Sequence, residues 1–86
     1  MSTLRVGERA FFDCFAGLVA CKVLAISGPS GPASSKHVVR FEITRAHGPY
    51  RAGEVLERSA LWVIPVEAVS RGNYGASILP YRVETQ

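Results

Sequence analysis

Cys and His are the side chains that most often bind zinc or supply nucleophiles and proton carriers, so the two cysteines and two histidines of this chain come first. Cys14, Cys21, His37 and His47 show neither CxxC nor HxxxH spacing, and no metal site is expected from them. The serines form no nucleophile elbow, and none has a local base. No catalytic residue is therefore assigned. Gly28 to Lys36 offers glycines, serines and a lysine but lacks GK[ST] and a following helix to hold phosphate, so no nucleotide or other cofactor is expected.

Basic and aromatic residues give a second kind of chemistry. Arg45, His47, Tyr50 and Arg51 fall in one connection, Lys36 and His37 end another, and Arg71 and Tyr74 occupy a third. Arg and Lys neutralise phosphates while Tyr rings stack on bases, which is how small barrels hold single strands. Arg9, Arg40, Arg58 and Arg82, however, are dispersed among Glu42, Glu54, Glu57 and Glu67, the pattern of a solvated mixed-charge surface. The eight loop residues are kept as binding candidates, with nucleic acid ranked as a partner behind protein or self-association.

Composition narrows the setting. Ten Lys and Arg against seven Asp and Glu give +3 and a pI near 9.2, which favours an anionic partner without requiring one. A 48% hydrophobic and 20% charged composition is that of a folding chain, and 86 residues make room for one domain over residues 1–86. So small a domain is marginal, which favours association. No signal-peptide pattern and no apolar run of membrane-spanning length is present, and two cysteines are too few for a secreted disulfide scaffold. A soluble, cytoplasmic protein is expected. Its size resembles that of phage, plasmid or gene-cassette proteins.

The elements that must position these residues read as strands. Glu8 to Phe15 and Leu18 to Ile26 flank Ala16-Gly17 as a hairpin, with Cys14 facing Val19 and Phe12 facing Cys21. Phe12, Cys14, Val19, Cys21 and Val23 then share an apolar face, with the two cysteines diagonal and unbridged. Ser27 to Ser35 reads as loop, and Lys36 to Arg45 alternates as a third strand with Val39, Phe41 and Ile43 on one side. Glu54 to Ile64 is a fourth extended region with a break or bulge at Ser59-Ala60. Pro65 to Val69 suits one 3₁₀ turn, Ser70 to Ser77 a loop, and Ile78 to Val83 a last strand with Pro80 at an edge or bulge.

This is an all-β chain, and five short strands with a 3₁₀ turn before the last resemble an SH3-like barrel. Val6-Gly7-Glu8-Arg9-Ala10, Gly17 and Cys21 to Ile26 resemble the opening of Tudor and KOW-type barrels. Trp62-Val63-Ile64-Pro65-Val66-Glu67-Ala68-Val69 is similar to the strand and Pro-Val turn of plasmid-borne type II dihydrofolate reductases, also SH3-like. That family uses Val-Gln-Ile-Tyr to bind its ligands, where this chain has Leu61, Trp62, Val63 and Ile64. The likeness implies the fold and not the activity. A Tudor likeness implies an aromatic cage, for which Phe12, Tyr50, Trp62 and Tyr74 are the available rings, but the usual aromatic pair after the hairpin glycine is Leu18-Val19 here. Core packing is the preferred role for those rings. The chain is expected to be a non-enzymatic binding module or small assembly subunit. The alternatives are a nucleic-acid accessory factor and an oligomer with an enzymatic site at a shared pore.

Overall fold

A computed structural model describes residues 2–70 and 81–85. Eight strands occur among them: β1 (Ser2–Arg5), β2 (Arg9–Cys14), β3 (Gly17–Ser27), β4 (Gly31–Pro32), β5 (Val38–Ile43), β6 (Val55–Ser59), β7 (Val63–Pro65) and β8 (Tyr81–Glu84). A 3₁₀ turn, Ala60–Trp62, separates β6 from β7, and a short helix α1 spans Val66–Ser70. The chain is mostly β, in two sheets.

The larger sheet has the order β6-β5-β3-β2-β7, an antiparallel meander whose last strand returns beside its first. Alternation of β-branched and aromatic residues with polar ones builds its inner face. Ala10, Phe12, Val19, Cys21, Val23, Val39, Phe41 and Ile43 are all buried there. Phe12 and Phe41 form the aromatic centre, with ring centroids 5.1 Å apart. In β3 the register shifts between Val23 and Ala25. This bulge moves the inward positions from odd to even numbers, so Ile26 packs on the core that Val19, Cys21 and Val23 begin.

The smaller sheet has the order β1-β8-β4. β1 and β8 pair in parallel, Leu4 opposite Val83, while β4 runs antiparallel with Gly31 opposite Val83. Leu4, Ala33, Tyr81 and Val83 join the same core cluster as the larger sheet. The Tyr81 hydroxyl donates to the Ala60 carbonyl and ties β8 to the 3₁₀ turn. Burial pushes the Tyr81 phenol up to about 12.

Several expectations are corrected. The hairpin turn is Phe15-Ala16 and not Ala16-Gly17, so Cys14 pairs with Gly17 and Phe12 with Val19. Gly17, with φ +107°, follows the turn as a bulge residue and lets Phe15 and Ala16 keep negative φ. The slip is two residues, so every side chain keeps its expected face. Cys21 lies opposite Ala10, further from Cys14 than expected, and both thiols are free. Burial raises the Cys21 thiol to about 12. The Gly-Pro-Ser stretch contributes β4, where Pro32 sits on an edge strand that does not need its missing N–H. Ser59-Ala60 is a break, as expected, but the 3₁₀ turn lies there, while Val66–Ser70 is α-helical. The strand that returns to β2 is β7; β8 belongs to the other sheet. The hydrogen-bond ladders close no barrel among the described residues. Residues 71–80 fall outside those described, and with them Arg71, Tyr74, Pro80 and most of the loop expected before the last strand.

Candidate functional site

One end of the larger sheet carries a notch of about 480 Å³, lined by Phe12, Asp13, Cys14, Phe15, Tyr50, Arg58 and Trp62. Four segments supply it, and each is set by local chemistry. The β2–β3 turn presents Phe15, which is 90% exposed. The Cys14 thiol donates to the Gly17 carbonyl at 3.4 Å and tightens that turn.

His47 and Tyr50 exchange both backbone hydrogen bonds at 3.0 Å around Gly48-Pro49. Gly48 has φ +56°, and proline's own φ suits the second position, as in a type II′ turn. The His47 Nε2–H then donates to the Ala16 carbonyl at 2.6 Å, so the two loops are stapled together. Tyr50 is brought edge-on to Phe12, 5.5 Å between centroids.

Arg58 lies opposite Val39 on β6, and so on the core side of the sheet. Its guanidinium carbon stands 5.7 Å from the Phe12 ring centroid, a cation–π contact over a buried ring. Ser59 accepts from the Leu61 N–H at 3.3 Å and caps the 3₁₀ turn that presents Trp62, 46% exposed. The notch therefore combines exposed ring faces with one guanidinium and one carboxylate. Its lining contains no histidine that would activate Cys14.

The expected binding residues that are described do not converge. Lys36 and His37 precede β5 while Arg45, His47, Tyr50 and Arg51 follow it, and the six residues of β5 hold the groups about 20 Å apart at ~3.3 Å per residue. His37, expected as a loop binding candidate, is only 4% exposed. Its Nδ1 accepts from the Ser34 N–H at 3.2 Å, so the proton sits on Nε2, which donates to the Pro29 carbonyl at 2.6 Å. His37 is a clamp inside the Gly-Pro-Ser loop and not a surface ligand. Lys36 is exposed beside it.

Of the second group, only Tyr50 reaches the notch. His47 positions it, and the Arg51 N–H is bound to Glu54 Oε1 at 3.1 Å. Arg45 lines a separate trough on the outer face of β2 and β3. Phe12, Tyr50 and Trp62, assigned to the core from sequence, do meet at one surface. Phe15 and Arg58 were missed; an aromatic residue beside a hairpin glycine, where the chain must turn outward, is the signal that would have found Phe15. Among the described residues no three His, Cys, Asp or Glu gather as metal ligands, and no helix is long and apolar enough to cross a membrane. No protein-family model, curated protein or solved structure matches the chain.

Proposed function

We propose that this chain is an SH3-like small β module that acts as a non-enzymatic protein-binding unit, with the aromatic notch as its contact surface. The meander order, with a 3₁₀ turn before the strand that returns beside β2, supports the SH3-like reading. Two free thiols suit a reducing compartment, and we assign the protein to the cytoplasm on that basis.

The observation that carries the binding role is Phe15. A phenylalanine nine-tenths exposed at a turn contributes little to folding, and it lines the same notch as Trp62, Phe12 and Tyr50. Aromatic anchors of this type dominate protein interfaces. The notch volume lies within the ~300–1,000 Å³ of compact ligand sites, enough for one or two side chains of a partner segment.

Arg58 already occupies the face of Phe12 that a captured cation would need. The anchor is therefore an uncharged side chain, aliphatic or aromatic, from another protein or a second copy. A peptide array with apolar, aromatic, proline, acidic and methylated-cation anchors tests this, read by shifts of the Trp62 indole resonance. Apolar or aromatic anchors should score. Preference for a methylated cation, or no binding together with a strict monomer at high concentration, would reject the reading.

A further inference from the structure

A second depression lies on the opposite face of β2 and β3, away from the core. It is an open trough of about 1350 Å³, larger than the ~300–1,000 Å³ of small-molecule pockets, and so has room for a chain segment. Its floor holds Phe11 and Ala20, which face each other across the strands. Phe11 is half-buried at a position where strand alternation puts charge, since its same-face neighbours are Arg9 and Asp13.

The charges around this ring are unevenly compensated. Arg5 is held by Glu84 at 3.1 Å and Glu8 at 4.0 Å. Arg9 and Arg45 form no ion pair among the described residues, although both line the trough. Arg9 also stands directly opposite Lys22, which has Glu42 opposite it on its other side. Like charges facing each other across a sheet are unfavourable unless an anion lies between or above them. Glu42 faces Lys22, Glu8 lies within 4.0 Å of Arg5 and Glu67 has a partner of its own, so the cations that line the trough without an ion pair are Arg9 and Arg45.

From this arrangement we infer that the trough binds single-stranded nucleic acid. Arg9 and Arg45 contact phosphates from the trough wall and Lys22, across the strand from Arg9, reaches a third from beside it, while an unstacked base lies on Phe11, beside which Ala20 leaves room. Ring floors between guanidinium walls are the recurrent means of holding single strands without sequence preference. An acidic peptide would use the same cations but leave the ring without a role.

Fluorescence anisotropy with labelled oligothymidylate, oligouridylate, a duplex and oligoglutamate tests the inference. Both single strands should bind more tightly than the duplex, with log K falling against log salt at a slope of about −2 for three phosphates. Arg9→Gln with Arg45→Gln should weaken binding at least about tenfold and remove most of that slope. Phe11→Leu should cost about tenfold with the slope unchanged, because stacking releases no counterions. Thermal melts confirm that each variant folds; Arg45→Gln alone, on a loop, serves if Phe11→Leu does not. Oligoglutamate binding as tight as the strands, no retention at low salt, or an unchanged affinity in the arginine variant would overturn the inference. So would an equal loss in Trp62→Ala, which would place the strand at the notch and not in the trough.

Discussion

His37 and His47 make nearly the same bond and serve different ends. Each donates from Nε2 to a backbone carbonyl at 2.6 Å, Pro29 for the first and Ala16 for the second. His37 is buried, its other nitrogen satisfied by Ser34, and it fixes a loop so that Gly31 and Pro32 reach β8. His47 is exposed and fixes one surface loop against another, which sets Tyr50 and Phe15 around the notch. The same residue type thus belongs to the fold at one end of β5 and to the proposed contact surface at the other. Burial, and not the bond, makes the difference.

The largest expected effect acts on the core shared by the two sheets. Cys21 and Tyr81 are raised to about 12 by burial, from 9.0 and 10.0. A raised pKa means that the unfolded chain loses its proton first, so the stability these groups give is full below about pH 9 and is lost as pH rises toward 12. The melting temperature should be flat at neutral pH and fall steeply across that window, with Cys21→Ala delaying the start of the fall.

His37→Ala should destabilise by about 2–3 kcal/mol in chemical denaturation, because it opens a gap and leaves the Ser34 N–H and Pro29 carbonyl unpaired. Gly28→Ala attacks the same clamp from outside. Its Cβ would lie 2.9 Å from the His37 ring at a backbone φ of +108°, and a loss of about 1–3 kcal/mol is expected. His47→Ala should cost only about 0.5–1 kcal/mol, since water replaces the bond at an exposed site. Phe15→Ser should change stability by less than about 0.5 kcal/mol while abolishing capture of the partner. Should His47→Ala prove as costly as His37→Ala, the contrast between fold clamp and surface clamp fails.

The inner face of the larger sheet was legible in the sequence because strict alternation, as in Val39, Phe41 and Ile43, admits one reading. The hairpin was misplaced by one turn position because a glycine with positive φ can stand within a turn or just after it, and the neighbouring residues do not decide between the two. β1 and β4 were invisible for a different reason. Ser2 to Arg5 offers one buried apolar residue, Leu4, and Gly31-Pro32 reads as a breaker; both become strands only because β8, some fifty residues or more further along, supplies their partner groups. The candidate site was legible in parts. Phe12, Tyr50 and Trp62 were named together only as rings for a cage and preferred as core, because the notch depends on loop-to-loop contact, such as His47 to Ala16, which leaves no periodic trace in the chain.

The most direct test of the binding role is a titration of the folded protein with an apolar-anchored peptide from the array, followed by NMR, in wild type and in Phe15→Ser and Trp62→Ala. Shifts are expected only at Phe12, Phe15, Tyr50, Arg58 and Trp62, and are lost in both variants while their melting curves stay in place. Peptide binding that survives both substitutions, or shifts centred elsewhere on the sheets, would contradict that role.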